Sequence, residues 1–173
     1  MKNIFWVDLE MTGLDPYESV ILEFAGIITD LELNQLHRYQ AVVHQPESEL
    51  AKMNDWNWKT HTESGLLEMV PNGKSLALVE QEIITFIHSH FGEEKPILAG
   101  NSIHQDRKFI DRYMKDLAEN LHYRMIDVSS FKQVFRNLYN IEYSKVNPHR
   151  AFEDISASIE ELKHYLSFIN IPK

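Results

Sequence analysis

The chain has no cysteine among its 173 residues. That excludes disulfides, thiolate metal sites and a thiol nucleophile, and it fits a reducing, cytoplasmic setting. No apolar run approaches the roughly 20 residues that span a bilayer, so no membrane role is expected. The amino terminus, MKNIFWVDLE, enters an acidic, strand-like segment at once, and no cleavable leader is expected. Basic residues are scarce: 17 Lys and Arg stand against 26 Asp and Glu, for a formal net charge of −9. A chain so charged does not grip long nucleic acid through a broad basic face. A small pocket neutralised by metal stays open to it.

What is present is ordinary for a globular protein, 43% apolar and 25% charged. The length suits a single domain over residues 1–173 with a substantial core. Ile4 to Val7 is an apolar, β-prone run ending in acids, read as a central strand. Leu14-Asp15-Pro16-Tyr17 is turn chemistry, and residues 20–29 should return as a hairpin partner. Residues 41–44 make a third strand. Residues 55–69 look helical up to the break at Pro71-Asn72-Gly73. Leu76, Val79, Ile83, Phe86 and Ile87 form a helical stripe closed by Gly92. A short strand over 96–99 precedes a helix over 102–117. Another strand, 125–128, precedes a helix capped by Ser129 or Ser130. The last helix carries Phe152, Ile155, Ile159, Leu162 and Leu166 at spacings of 3, 4, 3 and 4. Strands that meander early and then alternate with helices predict an α/β fold with a mixed central sheet flanked by helices.

Four acids stand out by placement. Asp8 and Glu10 lie two apart in a strand and share a face. Carboxylates that close need a proton or a cation between them, although spacing alone also fits a strand running out to solvent. Asp106 falls on one stripe with Ile103, Ile110 and Tyr113. There an unpaired charge is costly, while a first-turn acid is also favoured by the helix dipole. Asp154 opens the last helix. His149 precedes it by five residues, about 140° away if both were helical. Pro148 puts His149 in the entry loop, from which it could swing toward the same site, although a lone histidine in a loop is more often a surface residue.

Together the segments WVDLEMTGLD, GNSIHQDRKF and HRAFEDISASIEEL resemble the DEDDh exonucleases. NDWNWKTHTESGL and HYRMIDVSSFK extend the likeness to the oligoribonuclease branch over nearly the whole chain. The resemblance implies an RNase H-like fold and a 3′→5′ exoribonuclease that cuts very short RNA to nucleoside 5′-monophosphates. It implies Asp8, Glu10, Asp106 and Asp154 as ligands of two Mg²⁺ or Mn²⁺ ions, hard cations that prefer carboxylate oxygen. Asp8 would bridge both ions, with Asp106 acting through water. His149 would be the general base.

The same resemblance sets Leu14 and His61 against the bases, with Trp56 shaping that pocket. An aromatic or imidazole platform there tolerates any base. It sets Ser102, Arg124 and Ser129 on a 5′ phosphate, where the Arg fork suits the anion. Tyr123 would reach a partner's site in a homodimer, and the RNA would be two to five nucleotides long. Core packing is the competing role for Trp56 and Trp58, and solvent exposure for Arg124. The chain departs from the branch in three places. Glu153 stands where an Asp usually precedes the last metal acid, Pro148 precedes the base, and the loop over 141–148 is short. The rival readings are a DNA-proofreading or RNA-trimming relative, a catalytically silent nucleotide-binding module and an unrelated metal phosphatase.

Overall fold

Asn3–Met11, strand β1, runs through the middle of a five-stranded sheet of order β3-β2-β1-β4-β5. The computed structural model describes residues 2–144 and 151–170. β2 (Ile21–Asp30) and β3 (Gln35–Val42) follow as an antiparallel meander, and β4 (Leu98–Gly100) and β5 (Met125–Asp127) lie parallel to β1 on its other side. The mixed sheet predicted from the sequence is therefore present. β2 is buried along nearly its whole length, Glu23 and Thr29 included.

Alternation along β1 supplies two cores. Phe5, Val7 and Leu9 face α4 (Leu76–Phe91) and α5 (His104–Tyr113), packing with Val79, Ile83, Phe109 and Ile110. Ile4 and Trp6 face the opposite way, onto Ile155, Ile159 and Leu162 of the last helix, α8 (Ala151–Leu166). The Trp6 indole N–H, wholly buried, donates to the Thr29 hydroxyl at 3.0 Å, so its one polar atom is satisfied. On α8 the apolar spacing ends one residue early: Tyr165 is buried and Leu166 exposed.

Several elements differ from the sequence reading, the strand expected over 96–99 lying at Leu98–Gly100 among them. β3 starts at Gln35, because its first residues are exposed at the sheet edge and carry no apolar signal. The helix expected over 55–69 is two, α2 (Asp55–Glu63) and α3 (Leu66–Met69), parted at Gly65, whose φ of 75° suits glycine. A short helix α1 (Glu47–Leu50) was not foreseen. The helix expected over 102–117 breaks at Met114 (φ −130°, ψ 64°) into α5 and α6 (Lys115–Glu119). Finally, α7 (Val128–Tyr139) is capped by Asp127 rather than by a serine, the Asp127 carboxylate accepting the Ser129 N–H. Among the described residues no helix is long and apolar enough to cross a membrane.

The end of β4 approaches the middle of β1 closely. A Cβ on Gly100 would stand 2.8 Å from the Val7 carbonyl oxygen, a backbone atom that cannot swing away. Gly100→Ala should therefore cost about 1–3 kcal/mol, read as a lower urea midpoint at an unchanged m-value. An unchanged midpoint would contradict the tight approach.

Candidate active site

Asp8 and Glu10 continue the face of β1 that carries Ile4 and Trp6, so they point toward the layer covered by α8. α8 docks through Ile155 and Ile159, and that docking brings Asp154, in its first turn, over the end of β1. One carboxylate oxygen each from Asp8, Glu10 and Asp154 lie within 4.8 Å of one another. Like charges this close are favoured only with a cation, a proton or donors among them. The donor set is all oxygen and half-buried, which fits a hard divalent ion better than a thiophilic one. β1 also shifts register with β2 between Glu10 and Met11. The extra residue is Leu22 of β2, so the ladder is interrupted on the partner strand where β1 ends.

Asp106 approaches from the opposite layer and is not one of the three clustered acids. The Phe5 N–H donates to the Ile97 carbonyl at 3.2 Å, so odd-numbered amides of β1 face β4. β4 ends at Gly100, and the Leu9 N–H points past it. The Asp106 carboxylate takes that orphan donor at 2.9 Å, satisfying a group whose burial alone would be costly. Asp106 is 6% exposed. Burial pushes its pKa up to about 7, with a small contribution from the charge of Asp127, while the Leu9 amide and its own amide pull it down.

His61, from α2, lies beside Glu10. Its Nε2 is 2.9 Å from the Met11 carbonyl oxygen. A carbonyl only accepts, so Nε2 carries the proton, which turns Nδ1 toward Glu10 Oε2 at 3.8 Å. His61 thus touches an acid of the cluster as well as lining the adjacent cavity of about 510 Å³ with Leu14 and Trp56. Leu14 and Trp56 are 68% and 65% exposed, which rules out core packing for Trp56. Trp58 is also exposed. Asn57 was missed by the sequence reading: it lines the same cavity, and its amide donates to the Thr12 carbonyl at 2.9 Å. Its spacing of four from His61 on α2 was the available signal.

A second unforeseen residue organises the other end. Asp127 Oδ1 accepts the Ser102 N–H at 3.0 Å, the Ser129 N–H at 2.9 Å and the Ser129 hydroxyl at 2.6 Å. His104 Nδ1 stands 3.4 Å from Oδ2. Ser102, at a positive φ of 56°, and Ser129 are thereby brought together. Arg124 is exposed and lies over the ring of Tyr123, 5.1 Å from its centroid. Tyr123 is exposed as well, and its other neighbour is His122, stacked at 4.6 Å. His149 and Pro148 lie outside the described residues.

The sign of the Asp106 shift fixes a pH dependence. The folded chain binds a proton there that the unfolded chain releases. Without divalent metal, stability should fall as pH rises from the ordinary value of 3.8 to about 7. Asp106→Asn keeps an oxygen for the Leu9 N–H and should flatten that fall, seen in urea midpoints at pH 5 and pH 8 in EDTA. An equally steep fall in the variant would refute the assignment.

Comparison with known proteins follows the same lines. The exonuclease family RNase_T matches residues 5–162. An oligoribonuclease of Actinobacillus pleuropneumoniae is 44% identical over 179 residues, covering 99% of this chain and 97% of that protein. A probable oligoribonuclease of Dictyostelium discoideum is 47% identical over 168 residues, covering 95% of this chain and 88% of that protein. Among solved structures, the zinc-bound form of E. coli exonuclease I with single-stranded DNA has a TM-score of 0.71 at 17% identity. It matches 96% of this chain, which spans about two fifths (41%) of the exonuclease I chain. That likeness is one of fold, the RNase H-like exonuclease fold. The chain belongs to the exonuclease family, on its oligoribonuclease branch, and is a hydrolytic nuclease.

Proposed function

We propose that this chain, acting as one exonuclease domain over residues 1–173, is a cytoplasmic 3′→5′ exoribonuclease. Its substrates are very short oligoribonucleotides of two to five units, dinucleotides above all, and its products are nucleoside 5′-monophosphates. It would thereby complete RNA degradation. The convergence of Asp8, Glu10 and Asp154 at the end of β1 carries this reading.

Asp8, Glu10 and Asp154 would hold Mg²⁺ or Mn²⁺, with Asp106 serving a second ion through water. When bound, the ion pair stabilises charge on the attacking and leaving oxygens of the phosphodiester. Every other role falls to the chain. His149 takes the proton of the attacking water on an imidazole nitrogen. His61, fixed by the Met11 carbonyl, stands beside Glu10 and offers a surface to the terminal base. Leu14 and Trp56, exposed beside the acids, supply the apolar contact for that base. Ser102 and Ser129, tied to Asp127, would receive the 5′ phosphate together with Arg124. A site that holds the terminal base at one end and a 5′ phosphate at the other suits short RNA, which also explains how a chain of net charge −9 binds an anion without a basic groove.

The partner of this enzyme is a second copy of itself, with Tyr123 reaching into the neighbour's site. An apolar face supports that: Val134, Leu138, Tyr139, Phe168 and Ile169 are all exposed along α7 and the chain beyond α8. A contiguous patch of this kind marks an interface.

Two experiments check these assignments. With Mn²⁺ and 5′-phosphorylated RNA, a dinucleotide should be hydrolysed far faster than a ten-nucleotide strand, releasing monophosphates. Asp8→Ala should abolish turnover, and His149→Ala should lose on the order of 10²–10⁴ in rate. Equal rates at both lengths would favour a long-strand exonuclease, and release of inorganic phosphate would point to a phosphatase. Leu138→Glu should convert a dimer to a monomer in sedimentation equilibrium and lower activity with it; a wild type that sediments as a monomer refutes the second copy.

A further inference from the structure

A second cavity, of about 900 Å³, opens on the far side of Leu14. It is lined by Leu14, Asp15, Pro16, Tyr17, Lys108, Asp111, Arg112 and Lys115. The Tyr17, Lys108, Arg112 and Lys115 side chains stand apart from the acids and from the cavity around His61. In an acidic chain the concentration of three cations on one concave wall is unusual. Elsewhere Lys52, Lys59, Lys74, Arg107, Arg136 and Lys163 all sit against carboxylates. Lys108, Arg112 and Lys115 form no ion pair among the described residues. Lys108 bonds only the neutral Gln105 side chain, at 3.1 Å. Asp111, the nearby acid, is taken by Arg107 at 2.6 Å, and the Asp15 carboxylate accepts the Tyr17 N–H at 2.9 Å.

The cavity also holds a prepared aromatic ring. Tyr17 is 77% exposed, yet the Arg112 guanidinium lies over it, 4.4 Å from the centroid. Arg112 also lies over Tyr113, at 5.4 Å, and the Tyr113 hydroxyl donates to the Ser19 carbonyl at 2.8 Å. The exposed ring is thus pinned through Arg112 to a side chain fixed in the fold. An oriented ring beside unpaired cations is the combination by which proteins hold single-stranded nucleic acid: the ring stacks a base and the cations take phosphates.

Position links this cavity to the acids. Leu14 lines both it and the cavity that contains Glu10, Trp56 and His61. Along α5, Arg112 lies six residues beyond Asp106, about 9 Å. An extended strand crosses that distance within a few nucleotides. We propose that the cavity beyond Leu14 is a second nucleotide subsite. In it Tyr17 stacks a base, and Lys108, Arg112 and Lys115 hold the phosphates of an RNA strand that continues past the scissile dinucleotide. This rests on the reading that the Glu10–His61 cavity takes the terminal base. It separates two fates of the 5′ side: a terminal phosphate goes to Ser102, Arg124 and Ser129, whereas a continuing strand crosses Leu14.

The test compares wild type with K108E/K115E, with Tyr17→Ala, and with K2E/K95E, which lowers the net charge equally on other surfaces. K108E/K115E should raise KM for a pentanucleotide about tenfold and reduce the salt slope of log KM by about 1.4, two contacts of about 0.7 each. Its kcat/KM for a dinucleotide should stay within about twofold of wild type. Tyr17→Ala should weaken the pentanucleotide too, without changing the salt slope. K2E/K95E should leave both substrates unchanged. Anisotropy of a labelled pentanucleotide in EDTA reads the same discrimination without hydrolysis, so a chain that cleaves no RNA would defeat the proposed function while still reporting on this cavity. Equal losses on both lengths overturn the subsite, as does an equal effect of K2E/K95E. So does a change of sedimentation with length discrimination intact, which would make the cavity a seat for a second copy. Loss of competition by free AMP alone, with pentanucleotide KM unmoved, would make it a mononucleotide site and overturn the strand reading.

Discussion

The Leu9 amide faces a strand that has already ended, and the Asp106 carboxylate takes its place. Much of the molecule follows from that substitution. Because β4 is only three residues long, β1 projects beyond its parallel neighbour, and the overhang carries Asp8 and Glu10. An overhanging strand with unpaired amides would fray or recruit another chain. Asp106 prevents this by tying α5 to the overhang from one layer, while α8 covers it from the other. The acids are thus held on a rigid strand end rather than on a loop, as an accurately placed site requires.

The same bond explains an electrostatic division of labour. Asp106 is almost fully buried and pushed toward neutrality, whereas Asp8, Glu10 and Asp154 remain half-buried and crowded. One acid serves the backbone and three present oxygens outward. His61 joins them by its hold on Met11, which places an imidazole against Glu10 without leaving its own Nε2–H unsatisfied. At the end of β1 two successive residues do different work: the Glu10 carboxylate aims into the cluster and the Met11 carbonyl fixes the histidine.

How much of this could be read from the sequence depended on whether a feature was local. Period-two alternation put Asp8 and Glu10 on one face, and the 3, 4, 3, 4 spacing oriented α8, because each pattern is written within one element. Gln35 to Gln40 left no trace, since an exposed edge strand buries almost nothing on either face. The break at Met114 was invisible because a buried methionine continues the apolar stripe through the kink. That Asp154 meets Asp8 was indicated only by family resemblance, as spacing cannot say which face of a sheet a distant helix covers. Asp127 escaped because it ends a short strand just before two serines that suit a helix cap equally well. It is the cap itself, and it also gathers Ser102 from 25 residues away. The contact between His61 and Glu10 spans α2 and β1 and no local pattern encodes it.

The cluster joins the first strand to the last helix. A chain leaving the ribosome exposes Asp8 and Glu10 early and Asp154 near the end, and the third oxygen arrives only when α8 packs onto Trp6 and Ala99. Until that moment the growing polypeptide lacks the complete carboxylate cluster, so the three oxygens come together only once the last helix has seated on the first strand.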